Sequence, residues 1–202
     1  VINPLAMQSD FRSSRMVAFF VLAGIVLLAV FRVIRSSALP ELPNFSPIAA
    51  VALCGGLFLS GAWGWVMTVG ALFLSDLVLA MVAGYPAFGI SQTVSWLCTL
   101  GIVSFGHFLS KRPFSIPLFF TALVGAGLFF YLATNAVCWI VEPAYPRGLE
   151  GFWMSITTGL PGYPPSWLFY RNALLSDLGF GALILAVRQF AASAPLPASR
   201  PA

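Results

Sequence analysis

Two aspartates lie inside long apolar runs of the sequence, and each belongs to the string Leu-Ser-Asp-Leu. The strings cover residues 74–77 and 175–178, so Asp76 and Asp177 are 101 positions apart. An ionisable side chain at membrane depth is costly and usually faces the interior of a helix bundle or a wet cavity. Two carboxylates in such a place suit the binding of a cation or an amine, whereas protonated carboxyl groups suit a neutral heterocycle.

The aspartates have two further interpretations. Interior ion pairs would fix the bundle, with Arg32 beside Asp76 and with Arg171 or Arg32 beside Asp177. Two carboxyl groups that share a proton are also the machinery of an aspartyl protease. Both aspartates follow a serine, however, and the Gly-x-Gly-Asp signature of the intramembrane proteases is absent from the sequence. We therefore expect a binding role and no enzyme activity.

Polar and aromatic residues of five apolar runs fall at the depth of the two aspartates. Asp76 lies 13 residues after the start of its run, which is about 20 Å along a helix. Asp177 lies 7 residues inside the opposite end of its own run. The sequence therefore predicts a small-molecule pocket in the outer half of the bundle, with two tryptophans as walls. The candidate ligand-binding residues are Asn44, Ser46, Asp76, Gln92, Trp96, Asn135, Trp139, Asn172 and Asp177.

Asn44 and Ser46 also have a structural interpretation, because Pro47 follows them directly. Asparagine and serine are favoured caps at the start of a helix, and proline is favoured in its first turn. Either side chain is therefore a candidate cap for the second helix as well as a candidate ligand contact.

Three features argue against a metal, a cofactor or a nucleic acid as a partner. Cys54, Cys98 and Cys138 lie in separate apolar runs, with no C-x-x-C pair and no histidine at ligand spacing. The sequence has no glycine-rich phosphate loop, so any ATP-driven step must come from a partner. The 10 Lys and Arg residues are dispersed at the ends of apolar runs and form no stripe for phosphates. We expect no cofactor, no metal and no nucleic acid.

The elements that carry these residues are membrane-spanning helices. The chain has 202 residues, of which 10 are basic, 6 acidic and 59% hydrophobic, and its mean hydropathy is +0.93. A soluble domain carries about 25% charge, and a membrane span takes about 20 predominantly apolar residues. The sequence predicts an all-α, polytopic membrane protein with six transmembrane helices in one domain over residues 1–190, followed by a mobile tail over 191–202. The six runs cover residues 16–35, 45–61, 63–83, 88–110, 114–141 and 170–190.

The distribution of charge predicts the orientation of the helices. Basic residues are enriched at the cytoplasmic ends of spans, and the side that receives both termini holds six of them against four on the other side. Both termini are therefore predicted to be cytoplasmic, in a bacterial inner membrane. The repeated string indicates two inverted three-helix halves. The long outer segment between residues 142 and 169 predicts an interfacial helix or a lid over the pocket.

The chain also carries a set of short motifs that together resemble those of a membrane-protein family. The motifs are Pro43-Asn44-Phe45-Ser46-Pro47, Ala49-Ala50, Gly55-Gly56, Ser75-Asp76, Thr134-Asn135, Leu160-Pro161, Asn172 and Ser176-Asp177. With them, residues 31–190 resemble an uncharacterised bacterial family of six-helix membrane proteins, which is similar to the S components of energy-coupling-factor transporters. S components capture vitamins or metal ions, so the resemblance implies six helices, cytoplasmic termini and a ligand site near the outer face. The first span departs from S components, because none of its alanines has another alanine four residues away. Docking to a coupling subunit is therefore not implied by this span, and uptake by the chain alone, or loss of the uptake role, stays open.

Two functions from different classes agree with these features. The first is a substrate-capture protein for the uptake of a small polar or cationic solute, with a transmembrane coupling subunit and its ATPases as partners. The alternative is a non-catalytic accessory subunit of a larger membrane complex, with the small residues Ala52, Gly56 and Ser60 as packing surface. Both functions place the chain in contact with membrane lipid, and only the first requires a bound solute.

Overall fold

The computed structural model describes residues 22, 25, 26, 28–34, 42–84 and 88–193. These residues form seven α-helices and no strand, which confirms the predicted all-α class. Half of the first predicted span, over residues 16–35, and most of the predicted tail, over 191–202, lie outside the described residues. The helices are α1 over residues 28–34, α2 over Ile48–Phe58, α3 over Trp63–Ala83, α4 over Ile90–Leu109, α5 over Ile116–Val141, α6 over Leu149–Ile156 and α7 over Ser166–Ser193.

Among the described residues, three helices are long and apolar enough to cross a membrane, as in a multi-pass membrane protein. They cover Trp63–Val82, Ile116–Val141 and Ser166–Arg188, which are the third, fifth and sixth predicted runs. The helix α4 has 20 residues but does not belong to this set, because Gln92 and neighbouring hydroxyl side chains interrupt its apolar character.

The second predicted span, over residues 45–61, is wrong in its length. The helix there, α2, has 11 residues, which is about 16 Å of helix against a hydrocarbon core of about 30 Å. It begins after Pro47, which has no N–H group, and after a turn in which Asn44 has a φ of 58°. It ends before the extended residue Leu59 and the turn at Gly61. The N-terminus of α2 therefore lies inside the bundle.

The short helix α2 packs against α3, α4, α5 and α7. Its contact with α4 brings the two backbones together at glycines. A Cβ atom added at Gly56 would stand 2.1 Å from the carbonyl oxygen of Val103, and one added at Gly106 would stand 2.5 Å from that of Leu53. Small residues commonly allow such close approach between helices in membranes. Gly56 of the small-residue stripe predicted for α2 therefore meets a helix of this same chain, whereas Ser60 lies beyond the end of α2.

The segment between α5 and α7 is tied to the end of α5. The indole N–H of Trp139 donates to the carbonyl oxygen of Pro146 at 3.0 Å. The guanidinium of Arg147 donates to the carbonyl oxygen of Ile140 at 2.8 Å, which places a positive charge at the C-terminus of a helix. The segment contains the short helix α6, whose last carbonyl oxygen accepts the hydroxyl of Tyr131 at 2.5 Å. This segment is therefore anchored to α5 at both its start and the end of α6.

Candidate functional site

A cavity of about 500 Å³ lies among α1, α2, α3, α4, α5 and α7. Small-molecule sites in proteins measure about 300–1,000 Å³, so the size suits a small solute. The sequence predicted that polar residues at one level of the bundle would line a pocket, and many of them do line this cavity. Six of the nine predicted contact residues line the cavity: Asn44, Ser46, Asp76, Gln92, Asn135 and Asp177.

Asp76 is held by side chains of two other helices. Its Oδ1 atom forms an ion pair with Nη2 of Arg32 at 2.9 Å, and its Oδ2 atom accepts the indole N–H of Trp96 at 2.8 Å. The guanidinium of Arg32 also donates to the hydroxyl of Ser75. Of the ion pairs left open by the sequence, the structure contains the one between Arg32 and Asp76. The charge of this aspartate is therefore compensated.

Asp177 has a different partner, the N-terminus of α2. Its side chain is 2% exposed, and its Oδ1 atom accepts the backbone N–H of Ala50 at 2.9 Å. A carboxylate in this position complements the partial positive charge of a helix N-terminus. Among the described residues no basic side chain forms an ion pair with Asp177, since Arg32 pairs with Asp76.

The capping interpretation of Asn44 and Ser46 is wrong. The N-cap residue of α2 is Pro47, and no side chain there makes a capping hydrogen bond. Asp177 takes this role from a position 127 residues away from Ala50 in the chain. The hydroxyl of Ser46 is instead buried at the cavity wall, where the described structure offers it no hydrogen-bond partner.

Three predicted contact residues do not line the cavity, and their predicted positions are corrected. Trp96 donates its indole N–H to the carboxylate of Asp76. The amide of Asn172 is 1% exposed and donates to the carbonyl oxygen of Pro43 at 3.0 Å, so it holds the turn before α2. The oxygen of the same amide accepts Nη2 of Arg171 at 3.0 Å. Trp139 belongs to the anchor of the outer segment. Of the predicted outer segment over residues 142–169, Phe169 lines the cavity, and it belongs to α7.

Several residues of the wall were not predicted as contacts. Tyr131 precedes Asn135 by four residues, and the carbonyl oxygen of Tyr131 accepts the amide of Asn135 at 2.8 Å. Tyr170 precedes Asp177 by seven residues, which is two helical turns. Extending the helical period from each predicted residue would have found both tyrosines. The unpredicted polar and aromatic wall residues are Arg32, Ser91, Ser95, Phe130, Tyr131, Thr134, Phe169 and Tyr170.

The donor set of the wall favours an organic solute. The charged groups there are one guanidinium and two carboxyl groups, and the others are amides, hydroxyls and aromatic rings. Within the described ranges no three His, Cys, Asp or Glu side chains come together as a metal site. The site can therefore offer hydrogen bonds, one carboxylate without an ion-pair partner, and aromatic faces.

We expect Asp177→Ala to lower the free energy of unfolding by about 1–2 kcal/mol, the usual cost of removing a helix cap. Asp177→Asn is the matched control, because its side-chain oxygen still accepts the N–H of Ala50. The measurement is denaturant unfolding of the purified protein in detergent, followed by tryptophan fluorescence. Equal stability of the two variants would contradict the capping role.

A family model matches most of the chain. Its description is "Family of unknown function (DUF6580)", and it matches residues 13–199. No curated protein and no solved structure matches. The predicted place in an uncharacterised family is confirmed, whereas the similarity to S components stays a prediction.

Proposed function

The chain belongs to the DUF6580 family, and we propose that it is a substrate-capture protein of the membrane that binds a small polar or cationic solute for uptake. Its role would be similar to that of the S components of energy-coupling-factor transporters. The observation that carries this proposal is the cavity of about 500 Å³ within an apolar bundle. A concave wall with a few convergent polar groups among apolar and aromatic residues is the usual composition of a solute site.

The short helix α2 supports a binding function. Backbone that is not helical occurs at membrane depth only where it is buried in protein or lines a cavity. The turn ahead of α2 agrees with this rule, since Asn44 and Ser46 line the cavity. Interrupted helices whose ends meet at a central site are a common design of secondary transporters.

The depth of the cavity supports capture from one side of the membrane. Asp76 lies 13 residues after the start of α3, about 20 Å along the helix, and the N-terminus of α2 lies about 16 Å from its other end. If α2 and α3 meet at the inner face, both positions fall at or beyond the middle of a core about 30 Å thick. The proposed orientation opens the cavity to the outside, with six crossing segments and both termini cytoplasmic in a bacterial inner membrane.

Uptake against a gradient needs a source of energy. The sequence contains no glycine-rich phosphate loop, so the chain itself lacks this signature of ATP binding. The proposal therefore includes a partner with ATPases, for which a transmembrane coupling subunit is the candidate. The first span lacks the paired alanines with which S components dock to that subunit, so the proposal places the contact on another surface of the bundle. Lipid surrounds the bundle.

We expect Gln92→Leu to lower the affinity for the captured solute about ten-fold, because a hydrogen bond to a buried group contributes about 1.4 kcal/mol. Gln92 lines the cavity, whereas Thr93 is its exposed neighbour on the same helix. Thr93→Val is therefore the matched control. The measurement is native mass spectrometry of protein purified in mild detergent from its own host, followed by titration of the solute thus identified.

The two possible results separate the two functions. A releasable solute that wild type and Thr93→Val retain, and that Gln92→Leu loses, supports substrate capture. A stable assembly with other membrane proteins that carries no solute overturns capture and supports the accessory-subunit function.

A further inference from the structure

In the described part of the cavity wall, one of the two carboxyl groups has no ion-pair partner. Arg32 and Asp76 compensate each other at 2.9 Å, and Asp177 forms no ion pair with any part of the chain that the structure describes. Asp177 is 2% exposed, and a buried charge is costly unless it is paired. A cation bound in the cavity would supply the missing partner.

The carboxyl group of Asp177 faces a recess at Gly127. Its Oδ1 atom is occupied by the N–H of Ala50. A Cβ atom added at Gly127 would stand 3.7 Å from Oδ2 of Asp177 and 4.0 Å from Cε2 of Tyr170. The absent side chain therefore leaves a space of methyl size between α5 and α7, next to a carboxyl oxygen and an aromatic ring.

Two tyrosine rings form the aromatic side of this recess. The ring centroids of Tyr131 and Tyr170 are 5.1 Å apart, with the rings tilted by 32°, and both residues line the cavity. The hydroxyl of Tyr131 is held by the carbonyl oxygen of Ile156. Aromatic faces attract organic cations, and the attraction grows when water is excluded.

An organic cation fits this wall better than a metal ion. Hard metal ions take about six or more oxygen ligands, whereas the described residues bring together no three His, Cys, Asp or Glu side chains. The buried hydroxyl of Ser46, which has no partner in the described part of the chain, adds a neutral oxygen that can accept an ammonium N–H.

We propose that the solute is an organic monocation such as an amine, an inference that rests on the proposed capture function. The ammonium group lies between Asp177 and the ring of Tyr170, and the apolar part lies against the ring of Tyr131. Gly127 sets the size of the group that fits beside the carboxylate. The bound cation and the buried carboxylate then satisfy each other in a site that excludes water.

Three probes of similar shape and different charge test this proposal: benzylammonium, benzyl alcohol and benzoate. Binding of each probe to the purified full chain in detergent is measured by calorimetry, and displacement of the host solute by native mass spectrometry. We expect benzylammonium to bind about ten-fold more tightly than benzyl alcohol, and benzoate not to bind. Asp177→Asn keeps the contact with Ala50 and loses the preference for the ammonium.

A second pair of variants tests the recess without altering a charge. At Gly127 the nearest atoms to an added methyl group are at 3.7 Å, so Gly127→Ala fills the space without a clash. Gly125→Ala is the control on the same helix, since an added methyl group there meets no atom within 4 Å. We expect Gly127→Ala to weaken benzylammonium binding about ten-fold, and Gly125→Ala to leave it unchanged.

The outcomes distinguish this inference from the capture function on which it rests. Binding of a solute or probe that is equal in wild type and Asp177→Asn, with no preference for a cation, overturns the organic-cation proposal and leaves capture intact. Absence of any host solute, together with failure of all three probes, overturns both.

Discussion

We expect Arg32→Ala to lower the free energy of unfolding by about 3–5 kcal/mol, the cost of leaving one member of a buried ion pair without its partner. The side chain of Asp76 is 10% exposed, and in this variant it loses its ion-pair contact at 2.9 Å inside an apolar bundle. The hydroxyl of Ser75 loses its donor in the same variant. Denaturant unfolding in detergent, followed by tryptophan fluorescence, measures the change.

Arg112→Ala is the matched control for this prediction. The guanidinium of Arg112 is exposed and lies over the ring of Phe108 at 5.5 Å, so its removal is expected to change stability by about 0.5 kcal/mol or less. The double variant with Arg32→Met and Asp76→Leu removes both charges of this pair and should recover most of the loss. If Arg32→Ala and Arg112→Ala had the same free energy of unfolding, the ion pair would contribute nothing to stability.

The long helices were predictable because a continuous apolar run of about 20 residues has few other stable structures in a membrane. The helices α3, α5 and α7 follow their predicted runs for this reason. The length of α2 was not predictable in the same way, since residues 45–61 are apolar almost throughout. Its C-terminus depends on the extended backbone at Leu59 and the turn at Gly61, which composition does not reveal.

The depth of a residue along its helix was also predictable, but its direction around the helix axis was not. Gln92 and Asn135, which were predicted from their depth, line the cavity. Trp139 and Asn172 were assigned to the same layer, yet one donates to the outer segment and the other to the turn before α2. The partner of a side chain lies on another helix, and a single sequence does not specify which helix that is.

The two Leu-Ser-Asp-Leu strings illustrate this limit. The hydroxyl of Ser75 accepts a hydrogen bond from Arg32, whereas the hydroxyl of Ser176 is buried and lacks a partner in the described residues. Asp76 binds that same guanidinium, and Asp177 binds a helix N-terminus. Identical local sequences thus have different partners because their neighbours differ. The inverted-repeat interpretation of the strings stays a prediction.

The glycine contact between α2 and α4 connects the stability of the bundle to the shape of the cavity. The N-terminal turn of α2 contributes Ile48 and Ala49 to the cavity wall, and it is bound to Asp177 through Ala50. The middle of the same short helix touches α4 at Gly56. Any change that separates α2 from α4 therefore also moves one wall of the cavity.

We expect Gly56→Ala to lower the free energy of unfolding by about 3 kcal/mol, at the upper end of overpacking costs. The added methyl group would stand 2.1 Å from the carbonyl oxygen of Val103, and backbone atoms cannot be relieved by a change of rotamer, so α2 must move away. Unfolding in detergent measures this loss, and native mass spectrometry should show loss of the captured solute. Gly125→Ala meets no atom within 4 Å and should preserve both properties, so equal behaviour of the two variants would contradict the close contact.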